Sequence, residues 1–122
     1  MSTFFRRLFS SAPPVNMSQA KDTVQKYIDE NRVIVFSKSY CPYCRQAKSA
    51  LDSLRTAYEA IELDQRDDGA ALQDALQQIS GQRTVPNIYI GQKHIGGNSD
   101  LQTLLSTDKL EPLLQEVGAI KA

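Results

Sequence analysis

The sequence predicts an α/β domain built on a central mixed four-stranded sheet flanked by helices. Segments of helical period alternate with short β-branched or apolar runs in the order αβαβαββα. Gly91-Gln92 separates two such runs by the two residues of a tight hairpin. A chain of 122 residues, 41% hydrophobic and 23% charged, is one domain of ordinary globular composition, with no room for a second.

Taken in order, Val24, Tyr27 and Ile28 recur at helical spacing after Ser18, and Asn31 interrupts them. Val33 to Phe36 is a β-branched run of strand character. Ala47, Ala50, Leu51 and Leu54 line one face of a second helix that begins near Pro42, with Gln46, Lys48, Ser49 and Asp52 turned largely away. A strand around Tyr58 to Leu63 follows. Leu72, Ala75, Leu76 and Ile79 repeat at i, i+3, i+4, i+7, and Gly81 supplies the stop. Asn87 to Ile90 and Lys93 to Ile95 form the hairpin. Leu101, Leu104 and Leu105, then Leu110, Leu113, Leu114 and Val117, read as one or two closing helices. Ser99 with Gln102 and Asp108 with Glu111 have the spacing of capping boxes for them. The first two strands should run parallel through a right-handed crossover, while the hairpin adds antiparallel strands to the same sheet.

Composition excludes several classes of function. Fourteen Lys and Arg balance fourteen Asp and Glu, so no broad basic surface exists to drive nucleic-acid binding. No apolar run approaches the roughly 18 residues of a membrane span, so a soluble protein with no membrane partner is expected. Two cysteines and one histidine cannot supply the four ligands of a structural zinc, and no metal is expected.

Residues 1–16 stand apart from 17–122, the folded domain. They hold Arg6 and Arg7 but no acidic residue, and Phe4, Phe5, Leu8 and Phe9 share one helical face before Pro13-Pro14. That is the composition of a mitochondrial targeting segment, with a disordered tail as the plainer reading. Met17 offers a second start, which would leave the protein in the cytoplasm.

The two cysteines carry the chemistry. Cys41-Pro42-Tyr43-Cys44 lies where the first strand gives way to the second helix. With Cys41 as N-cap, Pro42 falls at N1, where a missing N–H costs nothing and the fixed φ is already helical. The N–H groups of Tyr43 and Cys44 then point at a sulfur, which they favour as thiolate. The helix end contributes about 0.3–2 kcal/mol. Lys38 at ~6 Å would add roughly 0.7–2.8 kcal/mol for effective dielectrics between 80 and 20, and Arg45 is a further candidate. Cys44 lies one turn away, within reach of a reversible disulfide. A structural role for that bond is disfavoured, because so short a loop restricts the unfolded chain little.

With Lys38-Ser-Tyr-Cys-Pro-Tyr-Cys-Arg45, Thr84-Val85-Pro86 and Gly96-Gly-Asn-Ser-Asp100, the chain resembles a dithiol glutaredoxin of the Cys-Pro-Tyr-Cys class over about residues 18 to 118. The resemblance implies a thioredoxin-like fold. It also implies a monomeric, glutathione-dependent thiol-disulfide oxidoreductase that reduces protein-glutathione mixed disulfides and protein disulfides, in redox homeostasis and the response to oxidative stress. Cys41 and Cys44 would be catalytic, and glutathione the co-substrate. Lys38 and Gln73 match positions that hold its glycyl carboxylate, with Arg83 adding charge. Thr84-Val85-Pro86 would be a cis-proline loop whose Val85 backbone reads the cysteinyl part. Gly97 and Ser99 would offer N–H groups to the γ-glutamyl carboxylate, an anion at a helix N-terminus, and Asp100 would take the neighbouring ammonium. Tyr43 would flank the glutathione sulfur, Tyr40 is assigned to packing as much as to function, and His94 to a strand without catalytic duty. The competing reading is an iron–sulfur carrier, with Cys41 and glutathione holding a cluster between two subunits.

Overall fold

The computed structural model describes residues 16–120; the targeting segment expected at 1–16 lies almost wholly outside them. Helix α1 spans Met17–Glu30 and begins before Ser18 because Asn16 caps it. The Asn16 side chain accepts the Gln19 N–H at 2.8 Å, and the Gln19 side chain accepts the Asn16 N–H at 3.4 Å. Such reciprocal caps stabilise a helix by about 1 kcal/mol.

Strand β1, Val33–Ser37, is buried at every position and forms the centre of the sheet. It pairs in parallel with β2, Glu59–Glu62, and antiparallel with β3, Asn87–Ile90. Strand β4, Lys93–Gly96, closes the other edge, giving the order β2-β1-β3-β4. Ile34 and Phe36 join the core under α1 and under α3, Gly69–Ser80. Val33 and Val35 join the opposite core under α2, Pro42–Ser53, α4, Asn98–Ser106, and α5, Leu110–Glu116. Burial on both faces is why β1 reads as an unbroken apolar run rather than an alternating one. The hairpin forms where predicted, with positive φ at Gly91 (57°) and Gln92 (68°), as a right-twisted two-residue turn requires.

Three local expectations change. The second strand stops at Glu62, and Leu63–Gln65 tighten into a 3₁₀ turn. Helix α4 starts at Asn98 with Gly97 as its cap, so Ser99 does not cap it: the Asp100 carboxylate reaches back to the Gly97 N–H instead, and Gln102 bonds Asn98. Asp108 does not open α5. At φ 58° it closes α4, while the following N–H, of Lys109, returns to the Leu104 carbonyl at 2.9 Å.

The topology gathers the motifs. The C-terminal ends of β1, β2 and β4 and the N-terminal end of β3 lie at one edge of the sheet. Cys41, the 82–86 loop and the Gly96–Asp100 turn all follow or precede those ends.

Candidate active site

Cys41 is the N-cap of α2 with extended backbone (φ −84°, ψ 118°), and Pro42 occupies the first turn. Its sulfur accepts the Cys44 N–H at 3.3 Å, and Sγ lies 3.9 Å from the Val85 carbonyl oxygen. Of the two amides expected at the sulfur, only that of Cys44 makes the bond, since an N-cap side chain has room for one good donor at N2 or N3. Both cysteines are free thiols; Cys41 is half-buried and Cys44 fully so. Burial, then the hydrogen bond with Cys41, pushes the Cys44 thiol up from its ordinary value of 9.0. The two sulfurs thus sit in different environments: one at the rim over a helix N-terminus, the other behind it and neutral.

Lys38 is half-buried, and its carbonyl accepts the Cys41 N–H at 3.1 Å, closing the loop onto that cysteine. Asp64, from the turn after β2, fastens the same loop: its carboxylate accepts the Ser39 N–H at 2.9 Å and also bonds the Ser39 hydroxyl. Those bonds, with the Lys38 charge nearby, hold the Asp64 carboxyl below the usual range. The Lys38 charge thus acts on a carboxylate, Asp64, that sequence reasoning missed. Asp64 falls in a turn with no period to mark it.

Gln73 is buried on α3 and donates from Nε2 to the Arg83 carbonyl at 2.8 Å. The Arg83 guanidinium pairs with Asp74 at 3.0 Å on the surface. Both residues are brought to the 82–86 loop, Gln73 as a brace beneath it and Arg83 in an exposed ion pair. Thr84 is exposed, and the Val85–Pro86 peptide is cis, as the resemblance implies. At the third motif the Gly97 N–H donates to Asp100 Oδ2 at 2.9 Å, with Ser99 and Asp100 both exposed. Asn98 was not singled out from sequence, yet its amide donates to the Gln46 side chain at 2.9 Å and ties α4 to α2.

Tyr43 is 62% exposed beside the cysteines. Tyr40 is 64% exposed, so it does not pack in the core, because the loop after β1 turns it outward. His94 sits on β4 with its ring 5.1 Å from that of Tyr89, and burial lowers its proton affinity. Among the described residues no group of three or more His, Cys, Asp or Glu is placed to hold a metal ion.

The glutaredoxin family model matches residues 33–95, from the start of β1 to β4, with Cys41 and Cys44 at the dithiol positions. A glutaredoxin of Vernicia fordii is 49% identical over 98 residues, 80% of this chain and 94% of its own. The chain belongs to the glutaredoxin family. As such it is a glutathione-dependent thiol-disulfide oxidoreductase with a thioredoxin-like fold. Glutaredoxin-1 of Saccharomyces cerevisiae is 49% identical over 100 residues, 79% of this chain and 91% of its own. Among solved structures, a buckwheat glutaredoxin–glutathione complex superposes with a TM-score of 0.83 at 47% identity, covering 85% of this glutaredoxin and 94% of the buckwheat chain.

Proposed function

We propose that this glutaredoxin reduces protein-glutathione mixed disulfides through Cys41 alone, and protein disulfides through Cys41 and Cys44 together. The observation that carries the reading is the asymmetry of the two sulfurs. Cys41 stands at the helix N-terminus with an N–H at 3.3 Å, while Cys44 is sealed behind it with a raised pKa. In the first reaction the Cys41 thiolate attacks the glutathione sulfur, the protein thiolate leaves, and glutathione stays joined to Cys41. A second glutathione thiolate attacks that bond, releasing glutathione disulfide and restoring Cys41. In the second reaction Cys41 attacks a protein disulfide, Cys44 loses its proton and displaces the protein thiol, and two glutathiones reopen the Cys41–Cys44 bond. Rates follow the thiolate fraction of the attacking sulfur and the leaving-group pKa.

Glutathione, with two carboxylates and one ammonium on an extended backbone, fits the charges around this nucleophile. Lys38 and Arg83, with Gln73, take the glycyl carboxylate. The Val85 backbone reads the cysteinyl unit as a strand would. The Gly97 N–H, expected to face the γ-glutamyl carboxylate, is already held by Asp100, so the amides of Asn98 and Ser99 at the start of α4 take that carboxylate, and Asp100 its ammonium. Tyr43 lies against the sulfur. A buckwheat relative solved as its glutathione complex supports this reading. Residues 1–16 act as a mitochondrial targeting segment, and translation from Met17 supplies a cytoplasmic form.

Glutathione-coupled reduction of a small mixed disulfide and of a protein disulfide tests the division of labour. Cys41→Ser abolishes both; Cys44→Ser keeps the first and loses the second. A folded Cys44→Ser protein inert toward mixed disulfides would overturn the scheme.

A further inference from the structure

The loop that carries Val85 is held from behind by one side chain outside every motif discussed above. Gln82 lies half-buried between Gly81 and Arg83, and its Nε2 donates to the Thr84 carbonyl at 3.0 Å and to the Pro86 carbonyl at 3.0 Å. An amide NH₂ has two hydrogens, and both are spent on the carbonyls that flank Val85. The Gln82 backbone is itself fixed: its N–H donates to Ser80 Oγ at 3.2 Å, and its carbonyl accepts the buried Asn87 amide at 3.1 Å. The side chain is therefore seated on a braced backbone and does not sample rotamers freely.

Gln82 also faces the third motif. A β-carbon added to Gly97 would stand 3.6 Å from the Pro86 carbonyl oxygen and 4.0 Å from Gln82 Nε2. The amide thus fills the seam where the 84–86 loop meets the turn that opens α4. Two surfaces on separate elements of the sheet, one reading a peptide backbone and one presenting N–H groups to an anion, are joined at this point.

We propose that Gln82 is a positioning residue for glutathione, setting the Val85 backbone and the Gly97–Asp100 turn at the spacing that one extended tripeptide spans. This rests on the assignment of Val85 and of Gly97–Asp100 as glutathione contacts. Gln82 touches no reacting atom. By turning the Thr84 and Pro86 carbonyls onto its own amide, it leaves the Val85 N–H and C=O, the latter 3.9 Å from Cys41 Sγ, as the polar edge of the loop toward a ligand strand. The bonds exist before substrate arrives, so the loop's ordering does not have to be met at binding.

Gln82→Met removes both donors at nearly constant volume. The KM for glutathione should rise about three- to tenfold, the span that the loss of one neutral hydrogen bond converts to, with kcat changed less than about twofold. The pH profile of Cys41 alkylation should stay where it is. Gln82→Asn, which keeps the amide but shortens its reach, should also raise KM. Asp100→Asn, measured alongside, separates the two layers of the argument. If it raises KM while both Gln82 variants leave KM unchanged, Gln82 has no positioning role and only the contact assignment survives. If Gln82→Met raises KM while Asp100→Asn does not, the assignment at α4 fails and the proposed spacing between the two surfaces is overturned with it. A Gln82→Met protein whose kcat falls together with its Cys41 alkylation rate would overturn the proposal, because the residue would then be acting on the nucleophile.

Discussion

Gly96→Ala is the substitution whose cost can be worked most directly from the geometry. Gly96 ends β4 at φ 119°, a backbone conformation that residues with a side chain rarely adopt. A β-carbon there would lie 2.3 Å from Asp100 Oδ2 and 2.8 Å from its Cγ, closer than such atoms can approach. The backbone penalty is about 1–2 kcal/mol. The carboxylate must also swing away from the Gly97 N–H, which it holds at 2.9 Å, and an exposed bond of this kind contributes about 1 kcal/mol. Together these predict a loss of roughly 2–3 kcal/mol, or roughly 8–14 °C in melting temperature for a domain of this size. Because the displaced group is Asp100, the KM for glutathione should rise as well, and by as much as in Asp100→Ala. Thermal unfolding followed by circular dichroism reads the first effect, and steady-state kinetics the second. An alanine variant that melts within a degree or two of wild type and binds glutathione normally would show that this turn relaxes freely, and the argument from close approach would fail.

The raised pKa of buried Cys44 makes stability fall in alkali. The folded thiol holds its proton above 9.0, whereas the unfolded thiol releases it there, so the contribution is whole below that pH and declines as pH climbs toward the folded value. Urea unfolding at neutral pH and at about pH 10 should show a smaller alkaline loss for Cys44→Ser than for wild type; equal losses would refute the assignment to this thiol. N-terminal sequencing of the protein from purified mitochondria should find a chain that starts beyond the arginine pair, and one still carrying Met1 would refute a cleaved targeting segment.

Much of the site is legible in the chain because it is local. A strand run followed by Cys41-Pro42 sets the cap, the proline at N1 and Cys44 one turn on, since helix geometry alone fixes relations across three residues. Gly91-Gln92 likewise names its own turn. Caps were less secure: Ser99 and Asp108 have the right spacing, yet Asp100 and a left-handed Asp108 set the ends of α4, because several polar residues compete for the same few free N–H groups and tertiary packing selects among them.

The sequence by itself determined the cysteine pair at 41 and 44 and the elements that bear it, for these depend on neighbours along the chain. Tertiary structure alone decided what surrounds them. It seals Cys44, turns Tyr40 outward, and brings Asp64 to Ser39 and Gln82 to the seam between two motifs. Each depends on burial, or on a contact whose distance is set by how strands β1 to β4 lie side by side. No spacing along the chain encodes that distance until the sheet has formed.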